Sequence, residues 1–489
     1  MDHRRKMLAT ASSQAQGACP EFIVDRFSDL PVEVAHHILS FLPFKDIGQV
    51  GCVSKRCLEL YLSYPSLIFN PSHHQRNNMW RRLEAFNYFD KFLANRDSNK
   101  IECLRISWDY HSVKFAREFN ELLRISTWIR HAARCNVQVL DLDFDTRCRV
   151  PLELLPSSIS ACKSLRTLVI DFHWNILKWP SSNFLTNLQC LKLKSVQIEG
   201  LELFGKWIPC CKFLKQLQLE YVSGIKRMTV ISSSLESFSF VLYDRNPLCY
   251  LGISGEKLED IHIQWQCDSL SGKSLNIFAP NLKYLKLGGN LMDHQKLGNL
   301  MCLEKAEIYL YPKVDESDKL FEVLCSIGRS KVLILNEETM KALCRKSPRP
   351  TLDGISYLGL HTSSLSDELF PKMVSLLNGM TTLRKLCITS NPSFLRWRPL
   401  DAPDNSSRYN TSCCGSHNLA CMHELQEVII ELSNGTNEWK LAKYILEHIQ
   451  SLKKMVILYS SEQEEDVVLR KKPETISAAT VVFQKKQSS

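Results

Sequence analysis

Along this chain the apolar residues keep one short rhythm: apolar, two variable positions, apolar, one variable position, apolar. It occurs at Ile101/Leu104/Ile106, Val137/Leu140/Leu142, Leu165/Leu168/Ile170, Leu188/Leu191/Leu193 and Leu214/Leu217/Leu219. It continues at Leu235/Phe238/Phe240, Leu258/Ile261/Ile263, Leu282/Leu285/Leu287 and Leu303/Ala306/Ile308, with later copies at Ile355/Leu358/Leu360, Leu383/Leu386/Ile388 and Leu425/Val428/Ile430. The central residues from Leu140 to Ala306 stand 28, 23, 26, 21, 23, 24 and 21 residues apart. The next gap, from Ala306 to Leu358, is 52 residues and leaves room for one degenerate copy around Val332-Leu333-Ile334-Leu335.

A period of about 20–29 residues on this frame is the signature of a leucine-rich repeat. Each copy predicts one short strand and a return segment. A single copy cannot bury its own leucines, but parallel stacking closes a continuous core. Side chains alternate along a strand, so the residues between and just after the paired leucines face the open, concave side. They read Asp141, Asp143, Val169, Asp171, Lys192, Lys194, Gln218, Glu220, His262, Gln264, Lys286, Glu307 and Tyr309. Solenoids generally bind partners on that face. Asp141, Asp143, Asp171, Lys192, Lys194, Gln218, His262 and Lys286 are therefore the candidate contacts for a target protein. The acids lead and the lysines follow, which predicts an acidic entrance with basic points farther along.

Residues 26–69 carry a different pattern. Pro31 stands at a helix start with Glu33 in the first turn, where an acid suits the dipole. Val34, Ile38 and Leu42 recur every four residues until Pro43 stops the helix, and Val50, Val53, Cys57, Leu58 and Tyr61 supply a second helical pattern before Pro65. About 40 residues stabilise themselves poorly, so the apolar stripe calls for a partner. The order Leu30-Pro31-Val32-Glu33-Val34, Ile38-Leu39-Ser40-Phe41-Leu42-Pro43, Asp46, Val53-Ser54-Lys55-Arg56 resembles the F-box. That resemblance implies docking on a Skp-type adaptor, and through it a cullin, with Leu30, Pro31, Val34, Ile38, Leu39, Leu42, Pro43 and Val53 as contacts. The family often has Trp after the Arg, where this chain has Cys57.

Near the other end, Cys421 to Ile430 reads as a strand, followed by Gly435, Asn437-Glu438, a helical stretch Leu441–His448 and the strand-like Leu452-Lys453-Lys454-Met455-Val456-Ile457. This frame resembles the FBD region at the end of many plant F-box/leucine-rich repeat proteins, and that likeness implies a plant source. The fold class is α/β: an all-helical F-box module followed by a solenoid with parallel strands on its concave face. The expected division is a basic disordered tail at 1–25, the F-box at 26–69, a helical linker at 70–100, repeats at 101–392, a polar loop at 393–420, the FBD-like final repeat at 421–460 and a disordered tail at 461–489.

Composition narrows the function. The formal charge of +9 is spread as single Lys and Arg among leucines rather than gathered in a stripe, which argues against nucleic acid. No apolar run approaches the ~18 residues of a membrane span. With 19 cysteines, several inside strand-like runs, and no apolar stretch after Met1–Lys6, a reduced nuclear or cytoplasmic setting is expected. Cys413, Cys414, His417, Cys421 and His423 crowd together, but paired knuckles of the structural-zinc type are missing, so no metal or other cofactor is called. His36-His37 and His73-His74 read as solvated doublets. No phosphate loop, dinucleotide fingerprint, nucleophile elbow or HExxH helix occurs, so the chain reads as a non-enzyme. The expected role is the substrate-recognition subunit of a Skp/cullin/F-box ubiquitin ligase. The alternatives are a repeat scaffold or inhibitor outside any ligase, and a small-molecule receptor of the same ligase class.

Overall fold

The structure is a computed structural model that describes residues 27, 29–71, 79–96, 100–110, 120–146, 159, 162–179, 185–199, 201–242, 248–266, 272–343, 352–362, 365, 369–377, 379–389, 422–432, 437–459 and 479–486. The expected tail at 1–25, the polar loop at 393–420, His73-His74, and Cys413, Cys414, His417 and Cys421 lie outside these residues.

The N-terminal unit is three short helices: α1 (Val32–Leu39), α2 (Phe44–Val50) and α3 (Lys55–Ser63). Pro31 and Pro43 sit immediately before α1 and α2, where a missing N–H costs the helix nothing. The second helical pattern divides in two, because the Ser54 hydroxyl accepts a 3.1 Å hydrogen bond from the Cys57 N–H and caps a new helix.

Among the described residues the repeats form a parallel sheet of 16 strands, in the order β1 (Ser66–Phe69), β2 (Cys103–Tyr110), β3 (Val139–Thr146), β4 (Thr167–Lys178), β5 (Cys190–Glu199), β6 (Gln216–Glu220), β8 (Ser237–Leu242), β10 (Asp260–Trp265), β12 (Tyr284–Gly289), β14 (Lys305–Leu310), β15 (Val332–Asn336), β16 (Tyr357–His361), β17 (Lys385–Thr389), β18 (Glu427–Glu431), β19 (Lys454–Tyr459) and β20 (Thr480–Lys485). Register follows the leucine frame. Leu104 pairs with Leu140, Leu140 with Leu168, Leu168 with Leu191 and Leu191 with Leu217. The row runs on through Phe238, Ile261, Leu285, Ala306, Leu333, Leu358, Leu386, Val428 and Met455. None of these side chains is more than 1% exposed. The degenerate copy is a regular strand, β15 (Val332–Asn336).

Return segments change character along the chain. Helices Glu121–Arg134, Ser317–Ile327, Leu369–Leu377 and Asn437–His448 bring the chain back in the outer copies. Between 227 and 297 the returns are strands, β7 (Arg227–Ile231), β9 (Tyr250–Ser254), β11 (Ser274–Phe278) and β13 (His294–Leu297), which pair into a second parallel sheet of four. Steps of 21–24 residues leave little room for a helix with its two turns, and a five-residue strand fits.

The sheet exceeds its expected bounds at both ends. β1 (Ser66–Phe69) lies inside the stretch assigned to the F-box, yet it pairs with β2 (Cys103–Tyr110), with Leu67 and Phe69 buried. β20 (Thr480–Lys485) lies inside the expected C-terminal tail, yet it pairs with β19 (Lys454–Tyr459) over six residues. Its Val481-Val482-Phe483 run suits a strand, and the β19 edge supplies the unpaired backbone groups it needs.

Helix Met79–Ala94 joins the two parts. It inserts Phe86, Phe89 and Phe92 among Phe44, Tyr61, Phe69 and Trp128 with ring centroids 4.7–6.4 Å apart. Arg82 on this helix is buried; its Nε lies 2.6 Å from Glu121 Oε1 and its Nη1 2.8 Å from Asp109 Oδ1. The Trp108 indole N–H also donates to Glu121 at 2.8 Å. Arg96, fully buried, donates to the carbonyls of Leu62 and Lys100 at 2.8 and 2.7 Å. One continuous apolar core therefore runs from Ala35 to Ala479.

Two substitutions test this packing. Leu191→Asp puts a carboxylate into a fully buried row and should cost at least about 3 kcal/mol in chemical denaturation. Arg82→Met strands Glu121 and Asp109 in the interior and should cost about 3–5 kcal/mol. A wild-type denaturation midpoint for either variant would contradict the corresponding contact.

Candidate functional site

Two surfaces carry candidate function, and the first is on the helical unit. Val34, Ile38 and Leu42 are 40–44% exposed and Val53 77%, while Pro31 and Pro43 are exposed beside them. Leu30 is half-buried against the core. Leu39 corrects the expectation: at 1% exposed it faces inward with Ala35, Ile47 and Leu60. An eight-residue helix sandwiched between core and solvent carries two apolar stripes, and Leu39 is on the inner one. Phe41, 76% exposed, and Leu58, 45% exposed, join the outer surface and were not among the expected adaptor contacts. The signal was a surplus: more apolar residues in 30–58 than one inward stripe needs. Six large hydrophobics between Val34 and Leu58 are thus open to solvent, more than a small unit leaves uncovered without use.

The second surface is the open face of the 16-stranded sheet. Its first row reads Arg105, Asp141, Val169, Lys192, Gln218, Ser239, His262, Lys286 and Glu307 in register. The second begins Ser107, Asp143, Asp171, Lys194 and Glu220. All eight sequence-predicted contacts lie in these two rows, half-buried apart from the exposed Lys194.

The charges do not separate into an acidic entrance and a basic interior. Opposite signs on adjacent strands meet directly, as cross-strand neighbours do. Arg105 lies 2.7 Å from Asp141, Lys194 2.9 Å from Asp171, and Lys286 3.7 Å from Glu307. Lys305 also meets Glu307 at 2.7 Å, and the Tyr309 hydroxyl donates to it at 3.1 Å. Gln218 donates to Glu220. Asp143 accepts from the Ser107 hydroxyl at 3.2 Å and meets His173 Nε2 at 3.0 Å. Beyond β14 (Lys305–Leu310) the first row turns apolar, with Ile334, Gly359, Cys387, Ile429, Val456 and Val482. Sequence reading missed Arg105, His173 and this apolar third. The partners lie one repeat away, 21 to 36 residues along the chain, so no local motif announces them.

Asp143, Asp171 and His173 bring ligand atoms within 4.8 Å of one another. Lys194 already neutralises Asp171, so this geometry is that of a salt-bridged surface group rather than a built metal site.

Four histidines are held below their ordinary range. Burial, with Lys286 nearby, takes His262 down to about 4. Burial also lowers His36, His131 and His361. His36 is not the solvated residue its doublet suggested: its Nε2 donates to the Leu60 carbonyl at 3.1 Å and lies 3.1 Å from the Ser63 hydroxyl. These groups are neutral in the fold and bind protons more readily when unfolded. Their contribution is complete above the unfolded value of about 6.5 and is lost as pH falls towards the folded values. Melting temperature should therefore decline from pH 6.5 to about 4, and His262→Asn should flatten part of the decline. A melting temperature constant over that range would contradict the burial of these imidazoles.

Comparisons with known proteins agree with the architecture. An F-box-like family profile matches residues 27–63, and the profile of the LRR repeats of FBD-associated F-box protein At5g56370 matches residues 125–314. The F-box/FBD/LRR-repeat protein At4g03220 of Arabidopsis thaliana is 28% identical over 347 residues, covering 66% of this chain and 64% of that protein, just under two thirds of its length. F-box/FBD/LRR-repeat protein At5g22610 of the same plant is 24% identical over 457 residues, covering 90% of this chain and 84% of its own. FBD-associated F-box protein At5g53635 is 23% identical over 454 residues, covering 88% and 94%. With its F-box-like helices, its leucine-framed parallel sheet and relatives named for the same three parts, the chain is similar in sequence and architecture to the F-box/FBD/leucine-rich repeat proteins of Arabidopsis thaliana.

Proposed function

We propose that the protein is the substrate-recognition subunit of a Skp/cullin/F-box ubiquitin ligase. An F-box implies a Skp-type adaptor as partner, and F-box/leucine-rich repeat proteins are generally non-catalytic adaptors. The observation that carries the reading is the outward stripe of Val34, Ile38, Phe41, Leu42, Val53 and Leu58 on the F-box-like helices. The adaptor covers this stripe and leads to the cullin; the open face of the repeats holds the target protein. Catalysis belongs to the assembled ligase, and this chain contributes proximity, raising the effective concentration of target near the ubiquitin donor.

Outer and inner stripes should respond differently. Burying a side chain of this size is worth about 1.5–3 kcal/mol, so Ile38→Ala and Leu42→Ala should each weaken adaptor binding about tenfold or more in titration calorimetry, at unchanged stability. Leu39→Ala should instead cost about 2–5 kcal/mol of stability. Full adaptor affinity in Ile38→Ala/Leu42→Ala, or in Leu30→Ala/Pro31→Ala, would leave the repeat scaffold acting outside a ligase as the better reading.

A further inference from the structure

Past the open face, β4 (Thr167–Lys178) breaks register with β5 (Cys190–Glu199) between Asp171 and Asn175. The irregularity re-aims the side chains it carries. His173 and Trp174 occupy it with φ of 46° and 74°, and Tyr221, just beyond β6 (Gln216–Glu220), has φ of 54°. Trp174 is thereby turned outward, 48% exposed, with its ring centroid 6.3 Å from that of Tyr221 at a tilt of 58°. Tryptophan and tyrosine presented together at the rim of a sheet face are the side chains that most often dominate protein interfaces.

The charge around this pair decides what it takes. Asp143, Asp145, Asp171 and Glu220 are set against Lys194 and His173, whereas the chain as a whole carries +9. The hydrogen bond that Lys194 donates to Asp171, then the charge of Asp171 and those of Glu220 and Asp143, raise the Lys194 ammonium above its usual range, so these carboxylates surround one lysine. Asp143 is 49% exposed, and Asp145 follows it on the same face of β3 (Val139–Thr146). Carboxylates beside exposed aromatic faces suit a cation that is planar, weakly hydrated and forked. A guanidinium stacks on an indole while its N–H groups donate to carboxylates; an ammonium does this less well.

We propose that this corner is the grip on the target protein, and that it takes a basic, arginine-bearing segment. The guanidinium lies against Trp174 and Tyr221 and donates to Asp143 and Glu220. The inference rests on the substrate-receptor reading above and names the chemistry of the segment that such a receptor would hold.

Fluorescein-labelled hexaarginine, hexalysine and hexaglutamate peptides are titrated into the full chain bound to its adaptor, at low salt, with anisotropy as the readout. The +9 net charge of this chain opposes a cationic peptide, and adaptor alone is titrated in parallel, so binding beyond that control reports a local acidic site on this chain. Hexaarginine should bind more tightly than hexalysine, and hexaglutamate should not bind. Trp174→Ala should weaken hexaarginine about fivefold and Trp174→Phe should restore most of it. Asp143→Asn/Asp171→Asn should weaken it about tenfold or more. Asp353→Asn, an exposed acid elsewhere, should leave it unchanged. Full hexaarginine affinity in Trp174→Ala, equal affinity for hexalysine, or zinc binding at Asp143/Asp171/His173 without peptide binding would overturn the proposal. Failure to bind the adaptor at all would overturn the ligase assignment instead, whatever the peptides do.

Discussion

No repeat in this protein can complete its own interior. Each supplies one apolar edge, and the row from Leu104 to Met455 is dry only because every member has a neighbour on both sides. Free energy in such an array belongs to interfaces between copies more than to the copies themselves. The same constraint sets the open face. Once the leucines fix register, the residues between them fall into straight rows across sixteen strands. Side chains far apart in sequence then become neighbours at strand spacing, and Arg105 meets Asp141 as Lys194 meets Asp171.

The ends of the array face the difficulty that a terminal repeat has one neighbour only. At the C-terminal side, β20 covers the edge of β19. At the N-terminal side, β1 and the helix Met79–Ala94 do the work, and the apolar seam is reinforced by Arg82 and Arg96. Burying guanidinium groups is costly unless every N–H has an acceptor of good geometry. Arg82 donates four hydrogen bonds to Glu121 and Asp109, each from a different element, so the group locks helix, strand and first return helix in one arrangement. A rigid junction of this kind fixes the direction in which the open face points relative to the F-box helices.

Much of this was legible in the sequence, and for a physical reason. A period enforced by packing leaves a mark on every copy, so the central leucines, the degenerate copy at Leu333 and the F-box helices could all be read. What escaped depends on three-dimensional context. Leu39 looked equivalent to Ile38 and Leu42, because a short helix between core and solvent is apolar on both sides. The second sheet was hidden because spacing tells the length of a return segment and not its conformation. Strands β1 and β20 were hidden because pairing, more than propensity, decides whether a short run is ordered at an edge. The Trp174 corner was invisible because it exists through a slip of register: in strict alternation Trp174 would count as one more buried strand residue.

The shared core also bears on how such proteins can be recombined during evolution. A docking cassette that ended cleanly at the last F-box helix could be shuffled between receptors by a single exchange. Here Phe44 and Tyr61 pack on Phe92, and the helix bearing Phe92 is bolted through Arg82 to Glu121. A crossover between residues 63 and 121 would separate these partners and leave either aromatic faces or a carboxylate stranded. The inheritable unit is therefore larger than the F-box-like helices: it includes the first strands and the first return helix, and an exchange that keeps the fold has to fall beyond that seam.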